Sequence, residues 1–597
     1  MGEKYEIPPQ GIDEKIREIG EKIKETRNMM EVTRDELRKY LVSINQLEDS
    51  DVSAIEIYKW FIVKERSLYT VLNKLKMGDR LLLGLFWLPN SMVDEMNQKI
   101  GDIKEDRNIS GPQIWKRENH TVAPPTYFRL NEFTESFQEI TNTYGVPNYK
   151  EVNPSMFGIV TFPFLFGVMF GDIGHGFLLF LFGVFLCLCA EKLRESAIGA
   201  LVSARYLIVL MGVFSIFNGI CYNDFMSIPL DISTCYDVQT RPDGSRVGKL
   251  TEDCVIAIGI DPTWFLATNV LTFVNGFKMK MAVIFGVVHM SLGIFMKAFN
   301  SLYFGHLVDF FFEFLPQIIL LWSLFGFMNV LIIVKWLTPW AGRESESPSI
   351  IAIMINMFLA QGEVEEGMAP LLWSANTQQL ISLILLLIAF LTVPLMLLVK
   401  PFYLKWKHNP NQRSNSLGRR LLPQEEDEND LNENSEHTVE YLDDGRTTVQ
   451  VSSNKQEPVD LDEIVRLQGS GEENHAFGEI FIHQLIETIE FVLGTVSNTA
   501  SYLRLWALSL AHSQLADVFF DKLLNDMGLE GPYFYMLFIL FPVFFSFTLF
   551  VLMCMDSMEC FLHTLRLHWV EFQNKFYKGN GYLFIPFSFE SDLKKVK

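Results

Sequence analysis

Two arginines, with acids and histidines around them, lie inside long apolar runs near the end of the chain. The run Ile480 to Phe520 holds Glu487, Glu490, Arg504, His512 and Asp517. The run Tyr533 to His568 holds Asp556, Glu559, His563, Arg566 and His568. Arginine at membrane depth costs from about 2.5 to more than 10 kcal/mol. It keeps its proton at any biological pH, whereas a lysine can neutralise itself. A permanent positive charge in low dielectric suits a carboxylate that must lose its proton there. Arg504 is flanked by Tyr502, Leu503, Leu505, Trp506 and Leu508, so it points to function. Arg566, just before His568 and Glu571, has the plainer alternative of snorkelling to an interface.

Spacing orders these groups. Glu490, Ser497 and Arg504 are seven apart and drift only about 20° per step, with Ser501 on the same side. Glu559, His563 and Arg566 stand at i, i+4 and i+7, one stripe, and Asp556 is a turn earlier. Each run thus carries an acid-to-arginine ladder, and titratable groups in series with water can pass protons. Other polar residues have blander readings. His289 and His306 read as structural, Lys335 and Lys400 as snorkelling, Glu487 as interfacial. Asp172 and His175 fall in the glycine-rich break Gly171 to Gly176 and read as turn residues. Gly167 and Gly171 form a small-residue contact face.

The elements that must hold these residues follow from composition. The chain has 597 residues, 49% hydrophobic, with 51 Phe, and its longest apolar runs lie at 155–400 and 478–570. Eight spans are expected: Phe157–Phe170, Phe177–Ala190, Tyr206–Tyr222, Met281–Phe299, Leu307–Val334, Leu380–Val399, and the two arginine-bearing runs. Ile350 to Leu359 is too short to cross. The last two runs, about 41 and 36 residues, would reach roughly 60 Å and 54 Å, so they tilt or extend beyond the bilayer. Lys192, Arg194 and Arg205, and Lys400 to Arg420, place those loops in the cytosol by the positive-inside rule. The loops 224–278 and 336–376 then face the lumen, and both termini are cytosolic.

The front of the chain is polar and shows no signal peptide. Ile12, Ile16, Ile19, Ile23, Met30, Leu37 and Ile44 recur at helical spacing over Gly11 to Asp51. A second helix over Ile55 to Lys76 suggests a coiled-coil arm. Asp79 to Ile100 reads as a strand leading into a short helix. The expected fold is mainly α: a polytopic membrane protein with a partial cytosolic coiled-coil and α+β domain. Its divisions are 1–153 (cytosolic), 154–400 (six spans), 401–477 (cytosolic, disordered over about 409–473), 478–570 (the last two spans) and 571–597 (cytosolic tail). The net charge of −21 excludes nucleic acid as a partner. Cys235 and Cys254 share a polar loop and can pair if it faces an oxidising compartment. There is no Walker A, kinase or GxSxG pattern and no paired Cys or His metal spacing, so no cofactor or metal is expected.

Several motifs carry a resemblance. Ser501-Tyr-Leu-Arg504-Leu-Trp-Ala-Leu-Ser-Leu-Ala-His512 and His563-Thr-Leu-Arg566-Leu-His568-Trp-Val-Glu571 resemble the seventh- and eighth-helix motifs of subunit a of vacuolar-type proton ATPases. Phe170-Gly171-Asp172-Ile-Gly-His175-Gly176, Tyr222-Asn223-Asp224, Lys278-Met-Lys280 and Lys400-Pro401 fit as well. The resemblance implies a stator beside a rotating proteolipid ring whose subunits each carry one carboxylate, with ATP hydrolysed in other subunits. It implies that Arg504 attracts the ring carboxylate, that Arg566 supports it, and that two half-channels open to opposite sides. Glu490 matches a glutamate on the lumenal exit path; His512 and His568 match family positions. Implied partners are the ring, other membrane-sector subunits, and the peripheral-stalk and ATP-hydrolysing sectors. The implied location is an acidic endomembrane: vacuole, lysosome, endosome, Golgi or contractile vacuole. Asp556 stands where the family has glutamate, and Asn498 where it has histidine. Glu559 is not a family position. The resemblance also implies that the first limb of the cytosolic hairpin is missing from this sequence. A self-contained secondary transporter and a non-pumping tether or short isoform are the competing classes.

Overall fold

The computed structural model describes residues 11–45, 53–77, 82–107, 114, 123–194, 199–231, 234–242, 246–251, 254, 256, 259–340, 343–364, 367–419, 477–529, 535 and 537–594. They form two units, 1–116 with 584–597, and 117–583. In the first, α1 (Ile12–Ile44), α2 (Ala54–Leu72) and α3 (Val93–Arg107) account for nearly all the order. Ser53 caps α2, its hydroxyl accepting from the Glu56 N–H. The expected strand is a two-residue pairing, Lys76–Met77 against Leu82–Leu83. The apolar stripe of α1 is open: Ile16, Ile19, Ile23, Met30 and Leu37 are all exposed, with no second limb against them among the described residues. The last helix of the chain belongs to this unit, and Ser67 of α2 donates to Asp592 at 2.8 Å.

The second unit is helical. Its elements are α4 (Glu132–Tyr144), α5 (Ser155–Met169), α6 (Ile173–Leu188), α7 (Arg205–Tyr222), α8 (Val270–Tyr303), α9 (Leu307–Leu337), α10 (Ile350–Leu359), α11 (Ala375–Arg419), α12 (Gly478–Asp526) and α13 (Leu537–Lys575). Six of these, α7 to α9 and α11 to α13, are long and apolar enough to cross a membrane. The first two expected spans are α5 and α6, of 15 and 16 residues. At 1.5 Å per residue they reach only about 24 Å, short of the hydrocarbon thickness. They are joined at Asp172, whose carboxylate caps α6 by accepting from the Gly174 N–H at 2.8 Å. The segment expected as a tail, 571–597, lies along the body of this unit as far as Leu583. Tyr577 donates to the Gly145 carbonyl at 2.6 Å, and Thr126 and Val146 bridge to Leu583 and Asn580. Cys235 and Cys254 are joined, next to the hairpin Tyr236–Thr240 and Arg246–Leu250. The expected disordered segment starts too early, since α11 continues to Arg419; from 420 it lies outside the described residues.

Close helix contact needs small residues where backbones meet. Gly167 of α5 is such a point: a Cβ there would sit 2.6 Å from the Phe214 carbonyl carbon of α7. Gly286 of α8 is another, and a Cβ there would meet the Tyr502 ring at 2.6 Å. Buried aromatic residues fill the rest, with Phe166, Phe170 and Tyr502 fully enclosed. Gly167→Val should therefore cost about 1–3 kcal/mol, because a rigid backbone cannot yield as a side-chain tip would. Thermal unfolding of the purified chain in nanodiscs measures it, and an unchanged midpoint would contradict the contact.

Candidate functional site

Long helices α12 and α13 run antiparallel, which stacks their polar groups in tiers. Residue 501 comes level with residue 571, and residue 512 with residue 556. Arg504 is half-buried, and its Nη1 has no hydrogen-bond partner. The charges of Arg504 and Arg566 both act on one buried carboxylate, Glu571, which also lies beside Ser501. Glu571 Oε2 is likewise without a partner. Glu571 is therefore the acid shared by the two arginines, and the sequence reading gave it no role. The reason is geometric. Residues five apart on an α-helix lie about 140° apart around the axis. Leu567–Phe572 is a π turn, which bonds i to i+5 and closes that angle.

The expected ladders form only in part. Glu490 and Ser497 are exposed on the outer face of α12, below Arg504. Glu490 lies within electrostatic reach of Lys575. Glu559 and His563 pair at 3.7 Å on the outer face of α13, and Arg566 is exposed there. Asp556 does not join them: it is buried and faces α12, at the end of a second π turn, Thr548–Asp556. There its carboxylate accepts from His512 Nδ1, a short contact between two buried groups. His512 Nε2 is unpartnered and faces Asp172 Oδ2 at 3.9 Å. Asp172 also bonds His175 Nδ1 at 2.6 Å, so this pair does more than shape a turn.

His568 is buried and fully occupied. Its Nδ1 contacts the Thr564 carbonyl at 2.9 Å, so that nitrogen carries the proton, and its Nε2 lies 2.9 Å from the Thr161 hydroxyl. His289 meets the Tyr502 hydroxyl at 2.7 Å and stacks on Phe572, bracing α8 against α12 and α13. Lys278 of α8 donates to the Ser509 carbonyl at 3.1 Å and to Ser513 Oγ at 3.3 Å. In the turn after α7, burial and the neighbouring Asp172 carboxylate push the Asp224 carboxyl up to about 6.

A separate ionic cluster ties four helices. Lys400 of α11, expected to snorkel, instead pairs with Glu313 and Asp309 of α9, each at 3.1 Å. Lys297 of α8 bonds Glu313 and reaches Glu487 of α12 at 3.8 Å. Lys335, also expected to snorkel, donates to the Pro348 carbonyl at 2.7 Å.

Tiers of charge on two long helices, set in an otherwise apolar helical body, define a polytopic membrane protein built around ionisable groups. Residues 2–589 match the V-type ATPase 116kDa subunit family, and the chain belongs to it. It is 40% identical over 549 residues to the V-type proton ATPase subunit a3 of Arabidopsis thaliana, covering 89% of this chain and 61% of that one. It is 36% identical to the vacuolar proton translocating ATPase 100 kDa subunit of Dictyostelium discoideum, covering 98% and 67%. Against the V-type proton ATPase 116 kDa subunit a 1 of Mus musculus the identity is 37%, covering 92% and 66%. The chain thus spans about 60 to 67% of the length of these relatives.

Glu313→Ala should destabilise the protein by about 3–5 kcal/mol, since it leaves Lys297 and Lys400 without their shared carboxylate. Adding Lys297→Met and Lys400→Met should recover much of the loss. Unfolding midpoints of the single and triple variants in nanodiscs check this.

Proposed function

We propose that this chain is the membrane stator of a rotary proton pump, forming two half-channels against a ring of carboxylate-bearing subunits. The observation that carries the reading is Arg504. A permanent cation stands half-buried on α12 with an unsatisfied Nη1. Such a group is costly at membrane depth unless an anion approaches it. The face of α12 running through Ile482, Ile486, Ile489, Leu493 and Val496 is open and apolar, as a helix-lined partner would need. Family membership and the names of the relatives support the same reading.

In this mechanism a ring carboxylate arriving opposite Arg504 is held ionised, so it releases its proton before passing on. Glu571 keeps the two arginines from repelling each other and holds Arg504 in place. The tier of His512 and Asp556 serves one half-channel. Glu490 stands 22 positions away, about 33 Å along the axis, and serves the other. With the loop before α12 cytosolic, Glu490 belongs to the cytosolic access path rather than the lumenal exit, and His512 with Asp556 to the lumenal side. Glu559 and His563 are a surface relay beside Arg566. The remaining partners are the other membrane-sector subunits and the peripheral-stalk and ATP-hydrolysing sectors. The setting is an acidic endomembrane with both termini in the cytosol. A coiled-coil partner for the open stripe of α1 fits a peripheral stalk. A self-contained transporter is disfavoured because no two halves repeat each other.

Arg504→Lys should abolish ATP-driven acidification in proteoliposomes carrying the assembled complex, at least tenfold, while ring association persists. A lysine presents one short-reaching donor centre and can shed its proton. Acidification at the normal rate in that variant would overturn the reading. Glu571→Gln should lower the rate by about tenfold or more through loss of the shared acid, with ATP hydrolysis less affected.

A further inference from the structure

Asp172 and His175, at the start of α6, and His512 of α12 bring three ligand-type side chains to one point. All three are buried, and one ligating atom of each lies within 4.8 Å of the others. We propose that they form a binding site for a zinc-class divalent cation, held by Asp172 Oδ2, a ring nitrogen of His175 and His512 Nε2.

The first argument is the unpartnered nitrogen. His512 is 1% exposed, and its Nδ1 is engaged by the Asp556 carboxylate. Its Nε2 has no hydrogen-bond partner and faces Asp172 Oδ2 at 3.9 Å. That gap is too long for a hydrogen bond, which needs about 2.7–3.2 Å. A cation seated between them would be coordinated by the imidazole nitrogen and the carboxylate oxygen together.

The second argument is the support around the ligands. A metal-bound histidine ordinarily gives its other ring N–H to a carboxylate, and Asp556 does this for His512. Asp172 is braced too. Its Oδ1 accepts from the N–H of Gly174 at 2.8 Å and of Met226 at 3.1 Å, which leaves Oδ2 for a ligand role. Zinc bonds of about 2.0–2.2 Å set tetrahedral ligands about 3.4 Å apart. The His512 to Asp172 gap needs to close by about 0.5 Å. The His175 to Asp172 contact, now 2.6 Å, needs to open by nearly 1 Å as zinc displaces the proton shared there.

The third argument is charge. Lys278 acts on Asp172, Asp224 and Asp517 together, and His175 and His512 also act on Asp172. Asp556 adds a further carboxylate beside His512. With both imidazoles serving as neutral ligands, the acidic surplus falls to Lys278 and a bound dication. Two imidazoles and one carboxylate favour zinc over calcium or magnesium, which prefer oxygen ligands and higher coordination numbers. The Phe170 ring, 4.4 Å from that of His512, leaves little room for such a shell. The consequence for pumping, inhibition by removal of His512 and Asp556 from proton transfer, rests on the function proposed above; the binding itself does not.

The test uses the full chain purified in nanodiscs, equilibrated with zinc chloride and freed of loose metal. Metal analysis should find one zinc per chain, and X-ray absorption a nitrogen and oxygen shell with scattering from about two imidazoles. His175→Gln and His512→Gln should each weaken binding by about tenfold or more, and Asp556→Asn by about tenfold through lost support. His483→Gln, an exposed histidine on the same helix, should leave binding unchanged. Cobalt loading of the unaltered chain needs no variant: an intense four-coordinate visible band is expected. No retained zinc, a six-coordinate cobalt spectrum, or equal retention in His175→Gln and His512→Gln would each overturn the site. A chain that binds zinc, taken from an assembled complex that shows no ATP-driven acidification with zinc removed, would sink the pump reading alone.

Discussion

A charge held in apolar surroundings must meet an opposite charge, and this requirement sets how the helices of residues 117–583 are arranged. Apolar packing alone leaves helices free to slide, because one leucine or phenylalanine replaces another at little cost. Ion pairs do not slide. Glu313 fixes α9 against both Lys297 of α8 and Lys400 of α11, and Glu487 brings in α12. Lys278 fixes α8 against α12 a second time, through the Ser509 carbonyl. Lys297 and Lys278 lie 19 residues apart, about 28 Å along α8, so the two anchors set both position and tilt. Between them stands Arg504, a cation whose Nη1 is left without a hydrogen-bond partner.

Helix length and π turns decide which groups meet. At 49 and 39 residues, α12 and α13 reach roughly 74 and 58 Å, well beyond a bilayer's hydrocarbon. Antiparallel packing over that length gives room for several separate tiers. A regular helix would put Asp556 and Glu559 within 60° of each other, on one stripe. Here a π turn ends at Asp556, which faces inward while Glu559 faces out. One helix thus offers a buried acid to His512 and an exposed acid to His563.

Much of this was legible in the sequence, for identifiable reasons. The six long apolar helices follow from hydropathy, but α8 begins eleven residues early at Val270 and α11 runs twenty residues past Val399 to Arg419, because polar helical turns escape a hydropathy window. Arg504 stood out because no other charged residue flanks it. The pairing of His512 with Asp556 was not legible, since it joins residues 44 apart on different helices. Glu571 was missed because 3.6-residue periodicity is the wrong ruler across a π turn. Lys400 was misread because snorkelling needs only its own chain, whereas its partners Asp309 and Glu313 come from another helix. The α5 and α6 runs stand out by apolar character, although at 15 and 16 residues they are short for a span.

The spacing of the tiers bears on what kind of machine this is. Arg504 and His512 are eight positions apart, about 12 Å along the axis and some 80° around it. Glu490 is about 21 Å from Arg504 in the other direction. A proton hops between groups only across a hydrogen bond or a bridging water, about 3 Å at a time. Arg504 cannot serve as a stepping stone, because it does not give up its proton. On the proposed function, the side chains on α12 are therefore two accesses separated by a fixed positive charge, not one continuous wire. Such an arrangement blocks leakage by itself and conducts only when an acid brought from elsewhere takes a proton at one tier, moves, and yields it at the other. A self-contained channel would place its titratable groups in unbroken contact; a stator needs them kept apart.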